Sequence, residues 1–306
     1  SPHCATAITG ALAIGSQRPS PDVTRLTDVW LARDGATAFA RTLLQTGVVT
    51  SGDGRWLPIA SAPVMAVAQW GDDGFLLGFD DGRVMMLDGA QVAVPAQRIA
   101  KVSGRFLGLV TLGDRAIGLV DSTVISARLH ATETDRGGVT EAWCTRLDAS
   151  MTFECVAGID VDPWSTTPVV AVLGDSAIVI VDATTGATRA RFAVDAASHA
   201  RWIGPGWLLV LTESAGGEGS RSELRVLDVV SGRWTAPVVT PAIARIAVRG
   251  EEIHVGYACQ AVAVWDRAEV CRGSGVTALA GSTPVDRAAT SRLPSVTPGA
   301  TGIAHA

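Results

Sequence analysis

The chain has 306 residues, 47% of them hydrophobic and 18% charged, with a formal net charge of −5. That is enough apolar material for one large β domain or two small ones. The acidic balance, with basic residues scattered singly, excludes a global electrostatic footprint for nucleic acid or an anionic membrane. No apolar run reaches the roughly 18 residues of a membrane span, since the longest, 168–181, is broken by Gly174-Asp175-Ser176.

Lys101 is the only lysine among 25 Lys plus Arg, and asparagine is absent. Both biases favour GC-rich codons and point to a GC-rich bacterial source; the missing Asn also removes any N-glycosylation acceptor. Five cysteines (Cys4, Cys144, Cys155, Cys259, Cys271) are odd in number, irregular in spacing and without a CxxC pair. A disulfide framework or a zinc site has nothing to start from. They read as thiols acting as small hydrophobes, with Cys144–Cys155 and Cys259–Cys271 the pairs that neighbouring strands could bridge.

From the N-terminus, Ser1-Pro2-His3-Cys4 has neither an initiating Met nor a basic stretch followed by an apolar one. A processed chain or a domain cut from a larger protein, in the cytoplasm, is the expectation. Helical periodicity is nearly absent thereafter. Apolar positions come in runs of four to eight rich in Val, Ile and Leu, bounded by Gly, Asp, Ser or Pro, which is the signature of strands. A first strand falls at 5–14 and a first group at 25–62. The clearest group is 63–97, with strands at 64–70, 75–79, 83–87 and 91–95. Gly71-Asp72-Asp73-Gly74 and Asp80-Asp81-Gly82 supply its turns, since Asp-Gly and Gly-Asp steps tolerate the positive φ of tight hairpins. Further groups follow at 98–154, 155–196, 197–239 and 240–273, then a last strand at 276–280.

One phrase recurs through these groups, a β-rich strand ending in Asp. It reads Arg83-Val-Met-Met-Leu-Asp88, Ala116-Ile-Gly-Leu-Val-Asp121, Ala177-Ile-Val-Ile-Val-Asp182, Leu224-Arg-Val-Leu-Asp228 and Ala261-Val-Ala-Val-Trp-Asp266. The aspartates lie 33, 61, 46 and 38 residues apart, so the long interval calls for an insertion of about twenty residues, placed within 122–154. The second and third strands are apolar on consecutive residues, as expected of sheets covered on both faces.

The Val264-Trp265-Asp266 ending, together with Asp182-Ala-Thr-Thr-Gly186 and Asp228-Val-Val-Ser-Gly232, resembles WD40 and quinoprotein-like propeller repeats over about 25–273. The resemblance implies an all-β propeller and carries over no functional residue. Six groups plus a blade shared by the strands at 5–14 and 276–280 make seven four-stranded blades, with six as the alternative, closed by joining the termini. The expected organisation is one propeller over 1–281, followed by a Pro/Ser/Thr/Ala-rich tail at 282–306 that is either flexible or a closing strand.

The chemistry-bearing residues read mainly as structure. Asp72-Asp73 and Asp80-Asp81 lie at opposite ends of one strand, at least about 15 Å apart by strand rise, too far to share a calcium ion. Asp160 and Asp162 alternate at strand period on one face, where a carboxylate pair could do acid/base work; a strand end turning into a loop explains them equally. The five histidines form no local metal motif, and Gly216-Gly217-Glu218-Gly219-Ser220 joins two strands rather than opening a helix onto a phosphate. No cofactor is expected. Trp70, Trp164 and Trp207 recur beside the first turn of their groups, as a binding rim or, more simply, as packing between repeats.

In a WD40-type ring the turns between second and third strands share one face with the links between blades. That face maps to Asp80, Asp81, Asp114, Arg115, Asp175, His199, Glu218, Arg221 and Gln260. The reading is a non-catalytic scaffold whose loops engage a protein partner; by resemblance, such bacterial modules accompany signalling or defence ATPases. The rival is a small-ligand or catalytic propeller akin to quinoprotein dehydrogenases or lactonases.

Overall fold

The computed structural model describes residues 26–271, apart from 32–36, 43–45, 51–55, 59–63, 72–73, 88–96, 102, 130–138, 148–157, 214–220 and 258–261. Among them lie six antiparallel sheets. The first holds β1 (Leu26–Leu31), β2 (Thr37–Thr42), β3 (Thr46–Thr50) and β4 (Trp56–Pro58). The second holds β5 (Val64–Trp70), β6 (Gly74–Phe79), β7 (Arg83–Leu87) and β8 (Gln97–Lys101). The third holds β9 (Phe106–Leu112), β10 (Arg115–Val120), β11 (Thr123–Leu129) and β12 (Val139–Arg146), and the fourth β13 (Ile159–Val161), β14 (Val169–Leu173), β15 (Ala177–Asp182) and β16 (Thr188–Ala193). The fifth runs β17 (Ala197–Gly204), β18 (Trp207–Glu213), β19 (Arg221–Asp228) and then two short strands, β20 (Arg233–Trp234) and β21 (Val238–Pro241), both paired to β19. Pro237, with no N–H for the ladder, lies in the gap between them. The sixth has β22 (Ile243–Arg249), β23 (Glu252–Tyr257) and β24 (Val262–Asp266), and helix α1 (Arg267–Cys271) follows β24 directly.

The first strands touch in series: β1 lies against β5, β5 against β9, β9 against β13, β13 against β17 and β17 against β22. Each sheet is thus stacked beside the next about an inner row of first strands, the arrangement of a β-propeller. The core follows the same plan. One apolar cluster joins the second and third sheets around Leu76 and Phe106, another the third and fourth around Ile117 and Val179, and two more the fourth to the fifth and the fifth to the sixth. Every residue of β6, β14 and β15 is buried, which is why their sequences do not alternate. At about 1.5–3 kcal/mol for each fully buried Val, Leu, Ile or Phe, these layers dominate the stability.

Close stacking is set by glycine facing bulk. A Cβ at Gly78 of β6 would lie 2.7 Å from Phe106 Cγ, and one at Gly118 of β10 would lie 2.7 Å from Phe106 Cε1. Phe106 fits only because both positions lack a side chain.

The recurring aspartates are turn caps. Asp182 Oδ1 accepts the amides of Thr184 and Thr185, both at 2.8 Å, and Oδ2 accepts Arg189 Nε at 3.0 Å. Asp228 Oδ1 accepts the amides of Val230 (3.0 Å) and Ser231 (3.2 Å), and Oδ2 accepts the Ser231 hydroxyl at 2.6 Å. In both turns a glycine with positive φ, Gly186 or Gly232, returns its amide to the carbonyl of the aspartate. Burial pushes the Asp182 carboxyl up, but the Thr185 amide, Arg189 and the Thr184 amide outweigh it and hold the pKa down to about 2.

Several expectations need correction. Seven four-stranded blades are not found: five of the six described sheets have three or four strands and one has five. The strands assigned to ring closure, 5–14 and 276–280, and the tail at 282–306 lie outside the described residues. The fourth strand of the second sheet is Gln97–Lys101 rather than 91–95, and where the sixth sheet would continue into a fourth strand the chain forms α1 instead. The phrase ending at Asp121 is the second strand of its sheet, β10, whereas the others are third strands. The 61-residue interval therefore reflects a change of position within the unit, and β11 and β12 occupy much of 122–154.

Gly78→Ala should lower stability by about 1–3 kcal/mol through overpacking against Phe106, and adding Phe106→Leu should recover part of the loss in denaturant titration. Asp182→Asn should cost about 1 kcal/mol at neutral pH. Because the folded pKa lies below the unfolded one, the carboxylate stabilises above about pH 4 and that contribution is lost as pH falls toward 2. The unfolding midpoints of the two proteins should converge across that window.

Candidate functional site

Antiparallel meanders send alternate turns to opposite ends of the sheets. At the end called upper here lie the turns between second and third strands and the links from one sheet to the next. At the lower end lie the turns between first and second strands and between third and fourth.

The upper end brings together Asp80 and Asp81 after β6, Asp175 between β14 and β15, His199 near the start of β17 and Arg221 opening β19. Asp80, Asp175 and Arg221 are exposed. Asp81 is committed to its own turn, where Oδ1 accepts the Arg83 amide at 3.1 Å and Oδ2 accepts Arg83 Nε at 2.6 Å. Asp114 and Arg115 belong elsewhere. They form the turn between β9 and β10, at the lower end, where Asp114 pairs with Arg128 at 2.9 Å and Arg115 Nη1 donates to Ser126 Oγ at 3.4 Å. Glu218 and Gln260 lie outside the described residues.

Asp160 of β13 and Asp162 just beyond it brace two sheets. Asp160 Oδ2 accepts the Trp202 amide of β17 at 2.8 Å, and the Trp202 indole donates to the Asp160 carbonyl at 3.2 Å. Asp162 Oδ1 accepts the amides of Trp164 (2.9 Å) and Ser165 (3.2 Å), while its Oδ2 accepts the Gly206 amide from the fifth sheet at 3.2 Å. Burial raises the Asp160 pKa, and Arg201 and the Trp202 amide oppose the rise. His199 is shifted down to about 4, by burial first and then by Arg201.

At the lower end Arg267, the first residue of α1, ties three sheets. Its Nη1 donates to the Ile203 carbonyl at 3.1 Å, its Nη2 to Glu251 at 2.6 Å, and its guanidinium stacks over Trp164 at 4.7 Å. Trp70, Trp164 and Trp207 are half-buried and pack onto three different inter-sheet clusters, which favours the packing account of these residues over the binding rim. Trp143 does similar work, donating to the Ala183 carbonyl at 3.1 Å from β12. Nothing local in the sequence marks Arg267, whose partners are 16 to 103 residues away along the chain. Among the described residues no group of three or more His, Cys, Asp or Glu could hold a metal ion, and Cys144 and Cys271 are free thiols.

No family model matches the chain, and no curated protein sequence matches it. Solved structures do. A structure titled Kuenenia stuttgartiensis hydrazine synthase aligns at 13% identity with a TM-score of 0.58, covering 83% of this chain and 78% of that one. The structure of U3-55K aligns at 12% identity and 0.56, covering 79% and 77%. The computationally designed Ika8 protein aligns at 11% and 0.51, covering 79% and 83%. At such identities the likeness shows the β-propeller fold alone.

His199 has a testable signature. Its folded pKa lies below the unfolded value, so its contribution is present above about pH 6.5 and lost as pH falls toward 4. The wild-type melting temperature should drop across that window, and His199→Gln should drop less.

Proposed function

We propose that the chain is a non-catalytic β-propeller scaffold that binds a protein partner through its upper end. The observation that carries the reading is a division of labour among polar residues. Asp160 and Asp162, the pair best placed in sequence for acid/base chemistry, accept backbone amides across a sheet boundary, and Asp182 and Asp228 cap turns. Asp80 and Asp175 stand exposed on turns that follow the buried strands β6 and β14, and Arg221 is exposed at the first position of β19. Polar side chains on short, rigidly supported turns suit recognition, because little order remains to be imposed on binding.

The test is capture of partners from the native host by the tagged chain, with mass-spectrometric identification. The combined variant Asp80→Ala, Asp175→Ala, Arg221→Ala should lose the specifically captured protein while melting within a few degrees of wild type. Full retention of the partner by a folded variant would refute this face.

A further inference from the structure

The chain has no asparagine but five Asp-Gly steps, at 34–35, 53–54, 73–74, 81–82 and 88–89. Each carries an intrinsic reaction. The glycine nitrogen, with no Cβ beside it to obstruct approach, can attack the side-chain carboxyl of the aspartate before it and close a five-membered succinimide. Asp81-Gly82 is the step with both residues described, in the turn from β6 to β7 at the upper end. Asp81 is exposed there, and Gly82 is buried with a φ of 78°.

The turn keeps the two reacting groups occupied. Gly82 donates its amide to the Phe79 carbonyl at 3.2 Å, closing a four-residue turn. The carboxylate belongs to Arg83, whose amide donates to Asp81 Oδ1 at 3.1 Å and whose Nε donates to Oδ2 at 2.6 Å. Hydrogen bonds to both oxygens fix the plane of the carboxyl group. Ring closure instead needs the face of that group turned to the nitrogen, with the reacting atoms within about 3–3.5 Å and aligned. The guanidinium is itself seated: it lies 5.0 Å above the ring of Phe79, a side chain only 1% exposed.

We infer that Asp81-Gly82 is a site of spontaneous backbone isomerisation and that the Arg83 side chain is what holds it closed. In the first step the Gly82 nitrogen bonds Asp81 Cγ; the amide proton and a carboxyl oxygen leave as water. In the second, water adds to the Asp81 main-chain carbonyl of the ring and breaks its bond to Gly82. The chain then runs through the former side chain, the α-carboxyl becomes the free acid, and the composition is unchanged, so water is the one co-reactant. The turn gains a backbone carbon just beyond Gly78 and Val84, the ladder pair nearest to it. Arg83 and Asp81 are 32% and 44% exposed, and exposed ion pairs open readily, so the restraint slows the reaction without abolishing it. This chemistry is independent of what the upper end binds.

The test is to age the full chain at neutral pH and body temperature, digest it and resolve aspartyl from isoaspartyl peptides by chromatography and mass spectrometry. Wild type should isomerise at Asp81 about tenfold or more slowly than a synthetic peptide of residues 77–85. Arg83→Gln should raise the rate at Asp81 about threefold or more, with Asp73-Gly74 in the same digest unchanged. That second step separates release of a local restraint from general loosening of the fold. Should Arg83→Gln fail to fold, wild type in about 1 M salt, where screening acts within about 3 Å, should show the same selective rise. Peptide-like isomerisation in the wild type would overturn the inference. So would an unchanged rate at Asp81 in the folded variant, an acceleration shared equally by Asp73-Gly74, or, where salt is the probe, a rate that salt leaves unaltered.

Discussion

Burial of both faces of a sheet by its neighbours is the constraint from which the rest of this fold follows. A lone four-stranded sheet of Val, Ile and Leu would expose one or both apolar faces, so each needs a partner on either side. β14 and β15, buried along their whole length, satisfy this by facing the third sheet on one side and the fifth on the other. Stacking at that distance leaves no room for excess volume, which is why glycines at 78 and 118 sit against Phe106.

The same constraint decides what polar residues can do. First strands lie at the inner edge of their sheets and have backbone groups without a ladder partner on that side. An acceptor from the neighbouring sheet is then worth more as a brace than as a reactive group, because an unpaired buried N–H costs about 1–3 kcal/mol. Asp160 meets that need at Trp202, and Asp162 at Gly206. Toward the outer edge, Trp143 and Thr145 of β12 reach the carbonyls of Ala183 and Gly186 in the fourth sheet. With these groups so engaged, the side chains left to meet other molecules stand on turns, at the two ends of the stack.

Much of this was readable from residue order alone. Runs such as Ala177-Ile-Val-Ile-Val-Asp182 announce a strand buried on both faces, and Asp80-Asp81-Gly82 announces a tight turn with a positive φ at its glycine. Those are local properties, dictated by side-chain period and by the conformational freedom of glycine, and the strands, the hairpins and the propeller class followed from them. What could not be read was position within the unit. Ala116-Ile-Gly-Leu-Val-Asp121 has the composition of a third strand and is a second one, because buried second and third strands face the same environment and carry the same residues. That ambiguity misplaced Asp114 and Arg115 by a whole sheet height and inflated one interval. Only the tertiary structure decided the number of described sheets, the end at which each turn emerges, and the roles of Asp160, Asp162 and Arg267, since each depends on contacts made far along the chain, between sheets whose order no local pattern encodes.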